Sequence, residues 1–340
     1  MNIMKKWIFA VLVLTVITVD FAEGMATKKP VRSKGPLLLS VDFEPNVPLR
    51  YKFVCERQIE LDLDSKGRYR KEGAKGRGQV QNYTEMLEME IVYKAVEIDP
   101  YGYSIIEATC QSAKVVRSST GGRSPSKPDA AETLAGKSFT LKITPTGKAA
   151  DYSSLEALMK EVGQNAFGTD SKRTNVKDPD MIMDFAATQW GLWDSISSIK
   201  RPLKGLKKNS KWTSKLLAPM PFVAKVGRDV KYKLAGIVES NDTAYAEITS
   251  SYSLSKSPPE NIPMPYSGTF QMRGTFGFLQ SYRVLSLEGS GRQLYDIKRG
   301  LIKSDIQQYK AEVAASIFGG LGGVEPSIKI DQKITMTLIE

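Results

Sequence analysis

The sequence predicts a mainly β protein (α+β), made of two antiparallel β units with a few connecting helices. Three observations carry this. Apolar residues take every second position through 51–63, 87–95 and 328–338, save Arg57 and Gln332, the period of a strand with one face in the core. Turn-forming runs such as Asp99-Pro100 and Pro145-Thr146-Gly147 punctuate the strands. Segments with helical spacing lie between the two sets of strands.

The first strand places Tyr51, Phe53, Cys55, Ile59, Leu61 and Leu63 on one face and Lys52, Glu56, Glu60 and Asp62 on the other. Arg57 alone interrupts the apolar face. A second strand runs through Leu87, Met89, Ile91, Tyr93 and Ala95, and a third from Tyr103 to Val116. Residues 118–137, rich in Ser, Gly and Pro, read as a loop, and Phe139, Leu141 and Ile143 alternate again. Leu155, Leu158, Met159 and Val162 fall at helix spacing. So do Ile182, Phe185, Trp193, Ile196 and Ile199, read as one helix with Asp178 as its cap and Pro179 in its first turn.

In the second half, Lys231–Leu234 and Ala246–Thr249 echo Val92–Ala95 and Ile106–Thr109, a pattern compatible with an internal repeat. Residues 268–290 read as a hairpin. Residues 304–318 read as a helix stopped by Gly319-Gly320-Leu321-Gly322-Gly323. The last strand carries Ile328, Ile330, Ile334, Met336 and Leu338.

Residues 1–26 read as a secretory signal. Lys5 and Lys6 precede an apolar run from Trp7 to Val19, and small residues follow at Ala22, Gly24 and Ala26. No long apolar run comes later, so no transmembrane segment is expected once the signal is removed. The mature chain is then extracytoplasmic, either periplasmic or secreted. Residues 27–48 form a tether, 49–199 the first β unit with its helices, 200–211 a basic linker and 212–340 the second β unit.

The formal net charge is +11, and two segments hold most of the excess. One carries Lys66, Arg68, Arg70, Lys71, Lys75 and Arg77; the other carries Lys200, Arg201, Lys204, Lys207, Lys208 and Lys211. For an exported protein such charge points to an anionic envelope polymer or membrane surface rather than to nucleic acid. The alternative is that both are solvated loops. Cys55 and Cys110 are the only cysteines. In an oxidising compartment an even pair is compatible with a disulfide; two buried thiols in strands are the other reading.

The chain has no histidine. This removes the commonest general base and every serine–histidine or cysteine–histidine nucleophile pair. Three Ser-x-x-Lys matches, at Ser124, Ser197 and Ser253, have no Lys-Thr-Gly or Ser-Asp-Asn companion. The glycines at 319–323 follow a helical pattern rather than a strand, the wrong order for a phosphate cradle. No cofactor or metal motif emerges. The expected function is non-catalytic binding of an anionic cell-envelope component through the basic segments. The second reading is a periplasmic carrier of a lipid-like apolar ligand between antiparallel sheets, and the third a carboxylate-based enzyme.

Leu49-Arg50-Tyr51-Lys52-Phe53, and the run from Phe139 to Lys148 leading into Ser154-Leu155, resemble segments of a family of uncharacterised exported bacterial β-rich proteins, a domain of unknown function. The resemblance spans the first half of the chain. It implies an exported β-rich fold and supplies no activity and no catalytic residues.

Overall fold

The computed structural model describes residues 35–65, 80–119, 129–167, 181–220, 226–240, 243–257, 279–317 and 325–339. The signal segment, residues 27–34 of the tether, Asp178, Pro179 and the 319–323 glycines lie outside them. Among the described residues no helix is long and apolar enough to cross a membrane.

The first set of strands is β1 (Pro48–Asp62), β2 (Val80–Ile98), β3 (Ser104–Ser119), β4 (Ser138–Ile143) and β5 (Ala149–Asp151). The second is β6 (Lys211–Leu217), β7 (Gly227–Ser240), β8 (Thr243–Leu254), β9 (Leu279–Asp296), β10 (Leu301–Ile317) and β11 (Ser327–Leu338). Between them come α1 (Ser153–Phe167), α2 (Ile182–Trp190) and α3 (Asp194–Ser197). The protein is therefore mainly β and antiparallel with few helices, as its alternation predicts.

Both sets belong to one eleven-stranded sheet, ordered β5-β4-β3-β2-β1-β11-β10-β9-β8-β7-β6. Each set is a meander, and they join where β1 pairs with β11, from Tyr51↔Leu338 to Asp62↔Ser327. The hairpins that echo each other in sequence also share a distortion. The register slips between Ala95 and Glu97 in β2 and between Leu234 and Gly236 in β7, at matching places in the repeated pattern.

One face of the sheet is apolar and the helical segment 181–199 lies against it. Residues Ile182 to Gln189 of α2 are all buried, the signature of a helix enclosed on every side. Phe185 packs edge-on against Phe53 at 6.2 Å and Phe139 at 6.1 Å. Trp193 meets Phe43 and Tyr93, so this tryptophan is core. Farther along, Ser195 Oγ donates to Gln293 of β9, and Trp212 Nε1 of β6 donates to Ser195 O at 2.9 Å. Strands β1, β4, β6 and β9 thus touch the same helical segment, so the sheet curls around it. Residues 37–45 tie the strand ends at one end of the sheet. Leu37 bridges Leu206, Val41 N donates to Pro145 O, and Asp42 N donates to Gly300 O.

Three expectations are corrected. Residues 304–317 are strand, not helix: Tyr309, Ala311, Val313 and Ala315 face inward, while Lys310 and Glu312 face out. Pairing with β9 and β11 on both sides overrides the helix propensity of the alanines. Residues 279–290, expected as one arm of a hairpin, are strand within β9, and the rest of that hairpin lies outside the described residues. The helix expected through Ile199 breaks after Trp190 into α2 and α3; the break lets Asp194 reach Tyr232 Oη at 2.8 Å and Ser214 Oγ at 2.9 Å.

The third correction concerns the cysteines, which are both free, buried thiols. Cys55 lies on β1 and Cys110 on β3, with β2 between them. Two strand spacings of about 4.8 Å exceed the roughly 7 Å that a disulfide spans between Cα atoms. The register adds to the separation, because Cys55 faces Leu87 of β2 whereas Cys110 faces Ile91. Burial pushes both thiols up, Cys110 to about 11.

Gly289 shows how tightly β8, β9 and β10 approach. A Cβ there would strike the backbone oxygen of Gln308 and the Tyr252 ring. Gly289→Ala is expected to cost about 1–3 kcal/mol through overpacking. A lowered urea midpoint checks it; an unchanged midpoint contradicts the packing.

Candidate functional site

The basic linker is a built element rather than a loose loop. Pro202–Lys204 forms a 3-10 turn, closed by Lys204 N donating to Arg201 O and Gly205 N to Pro202 O. Gly205 has φ +64, a conformation that side chains rarely adopt, and there the chain turns close against Pro36. Leu206 is buried and exchanges two 2.7 Å backbone hydrogen bonds with Leu37. Asn209 N then donates to Leu234 O, and Leu234 N to Ser210 O, which docks the segment on β7.

On that frame Lys200, Arg201, Lys204, Lys207, Lys208 and Lys211 are all exposed. Among the described residues none is in an ion pair. The Lys208 side chain lies over Gly236 of β7. Lys211 of β6 stands directly opposite Lys233 of β7, and Lys231 follows two residues away on the same face. Like charges directly opposed across a strand pair destabilise a sheet, so folding gives no reason for this arrangement. Sequence spacing isolated the linker but missed Lys231 and Lys233. Both sit in an ordinary strand pattern, and only the β6–β7 register brings them to the linker. The other predicted cations, Lys66, Arg68, Arg70, Lys71, Lys75 and Arg77, lie outside the described residues.

The outer face of the sheet also carries two grooves, of about 440 Å³ and 520 Å³. In the first, Lys329 pairs with Glu60 at 3.0 Å and Lys310 with Asp331 at 3.8 Å, while Glu288 and Glu312 add further negative charge. Acids outnumber cations along both grooves, which disfavours an anionic ligand there. The inner face holds buried acids instead. Burial pushes Asp194 up, and Tyr232 and Ser214 donate to it. Asp184 is likewise raised by burial, with Arg57 as its partly offsetting cation. These groups are sealed in the core and satisfied by protein partners, which is the mark of structural polar networks. Among the described residues no group of three His, Cys, Asp or Glu side chains is placed to hold a metal ion.

No protein-family model and no curated protein matches the chain. Among solved structures the chain is similar to one titled for lipid–protein interactions in lipovitellin, at 12% identity and a TM-score of 0.44. That match covers 88% of this chain and 26% of the lipovitellin chain. A second match, to the enduracididine biosynthesis enzyme MppR, has 9% identity and a TM-score of 0.13, and covers 90% of this chain and 96% of the other. Likeness this loose carries no functional information.

Proposed function

We propose that this is an exported, non-catalytic protein that binds an anionic component of the cell envelope through the cationic surface of residues 200–211 and β6–β7. The observation that carries this reading is the uncompensated charge. Six cations stand on a hydrogen-bonded frame, and one of them, Lys211, opposes Lys233 across two strands. A surface bearing such charge gains from an anionic partner what it loses by self-repulsion.

The test is retention on immobilised dextran sulfate and co-sedimentation with phosphatidylglycerol vesicles. Each cation near an anionic surface adds about 1 kcal/mol. Changing Lys204, Lys207 and Lys208 together to Gln is expected to weaken binding about a hundredfold. Added salt is expected to weaken the wild type in the same direction. Binding that ignores both changes overturns the reading.

The second reading, carriage of a lipid-like ligand, draws on the apolar inner face of the sheet. Met181, Ile182 and Phe185 occupy that face, so a ligand needs the 181–199 segment to swing away. Organic extraction of the protein purified from its host decides between the two. Stoichiometric lipid supports the carrier.

A further inference from the structure

Resting on the charge reading above, we infer that the anionic partner is the surface of a phospholipid bilayer, entered by Leu203 and Leu38. Leu203 is 94% exposed and Leu38 60% exposed. An isolated exposed leucine is ordinary, but these two are placed. Leu203 lies within the 3-10 turn, between Arg201 and Lys204, and the hydrogen bonds that close the turn hold it there. Leu38 adjoins Leu37, which is bonded in both directions to Leu206. A Cβ on Gly205 would sit 2.7 Å from the Pro36 Cβ, so the two strips of chain are in contact. Leu203 is thereby presented between Arg201 and Lys204, with Leu38 on the strip of chain that adjoins the turn.

That combination matches the interfacial zone of an anionic membrane. There, cations meet headgroups while single apolar side chains pass between them. A soluble polyanion uses the cations and gains nothing from leucines raised among them. A protein partner is expected to need a contiguous apolar patch; here the most exposed leucine, Leu203, stands between Arg201 and Lys204.

The experiment compares vesicles of phosphatidylglycerol and phosphatidylcholine, vesicles of phosphatidylcholine alone, and dextran sulfate. The variant is Leu203→Ser with Leu38→Ser, which removes apolar surface without altering charge. It is expected to partition about tenfold less onto the mixed vesicles and to bind dextran sulfate as the wild type does. Val116→Ser, an exposed apolar site on β3 away from the cations, is expected to change neither. Leu203→Cys carrying a polarity-sensitive dye is expected to report a less polar environment on the mixed vesicles.

The membrane inference is overturned if the double serine variant sediments like the wild type, if the dye stays in water, or if Val116→Ser has the same effect. It is also overturned if the wild type binds dextran sulfate but no vesicle, and then the charge reading stands. Failure of the wild type to bind either probe overturns both.

Discussion

Replacing Arg57 by methionine is expected to lower the unfolding free energy by about 3–5 kcal/mol, because it strips the cation from a buried network and leaves its acids behind. The Arg57 side chain is fully buried. Its Nε donates to Glu85 Oε2 at 2.5 Å and its Nη1 to Asp184 Oδ2 at 2.7 Å. Gln332 Nε2 of β11 donates to the other Asp184 oxygen at 2.8 Å. Arg117 of β3 donates to Glu85 and pairs with Asp129. The network therefore links β1, β2, β3, α2 and β11 at the seam between the two meanders.

The acids respond to this setting in opposite ways. Burial raises Asp184 and Asp129 above the ordinary carboxylate range, and their arginines offset it only in part. Burial also acts to raise Glu85, but Arg57 and Arg117 together hold it below its ordinary value. The contribution of Glu85 is thus present above its unfolded pKa and lost as pH falls through the folded one; Asp184 and Asp129 run the other way. Losing Arg57 leaves Asp184 buried without its cation and Glu85 with Arg117 alone. The measurement is urea unfolding with the slope unchanged. Adding Asp184→Leu to Arg57→Met is expected to recover part of the loss, since replacing a buried pair costs less than halving it. A loss under about 1 kcal/mol for Arg57→Met contradicts the account.

The second large effect is a pH dependence. The wild type is expected to lose stability relative to Asp305→Asn as pH rises from about 4 to about 7. Burial pushes Asp305 up to about 6, and the Gln307 hydrogen bond and Arg228 offset it only in part. A carboxyl whose folded pKa is raised favours the native state while it is protonated. That contribution is complete below the unfolded pKa and disappears as pH climbs through the folded one. A shift of about two units corresponds to about 3 kcal/mol.

The groups facing Asp305 come from three strands. Gln307 Nε2 donates to it at 2.6 Å, and Arg228 of β7 donates to Gln307 Oε1 at 3.0 Å. The Arg228 guanidinium lies 4.8 Å from the Tyr252 ring centre and 5.0 Å from that of Tyr309. Asparagine keeps the shape and does not titrate, so the stability difference between variant and wild type isolates Asp305. A difference that stays flat across that pH range contradicts it.

Much of this was legible in the chain itself. The alternation through β1, β2 and β11 identifies strands, and it also says which side chains are buried. Arg57 was visible as the one charge on an apolar face, and such a break signals a buried network even when its partners cannot be named. Those partners come from positions as distant as Asp184 and Gln332, and no local pattern connects them. The helical reading of 304–318 failed for a related reason. Its alanines favour a helix locally, and only pairing with β9 and β11 makes the two-residue period decisive.

The sequence by itself determined the strand period, the inner and outer faces, and the exposure of the cations at 200–211. These follow from the solvation preferences of neighbouring side chains, which act residue by residue along the chain. Tertiary structure alone decided that β1 pairs with β11, that β2 separates Cys55 from Cys110, and that Lys211 confronts Lys233. Each is a matter of which strand lies beside which and in what register. That choice is made by contacts between segments far apart in the chain.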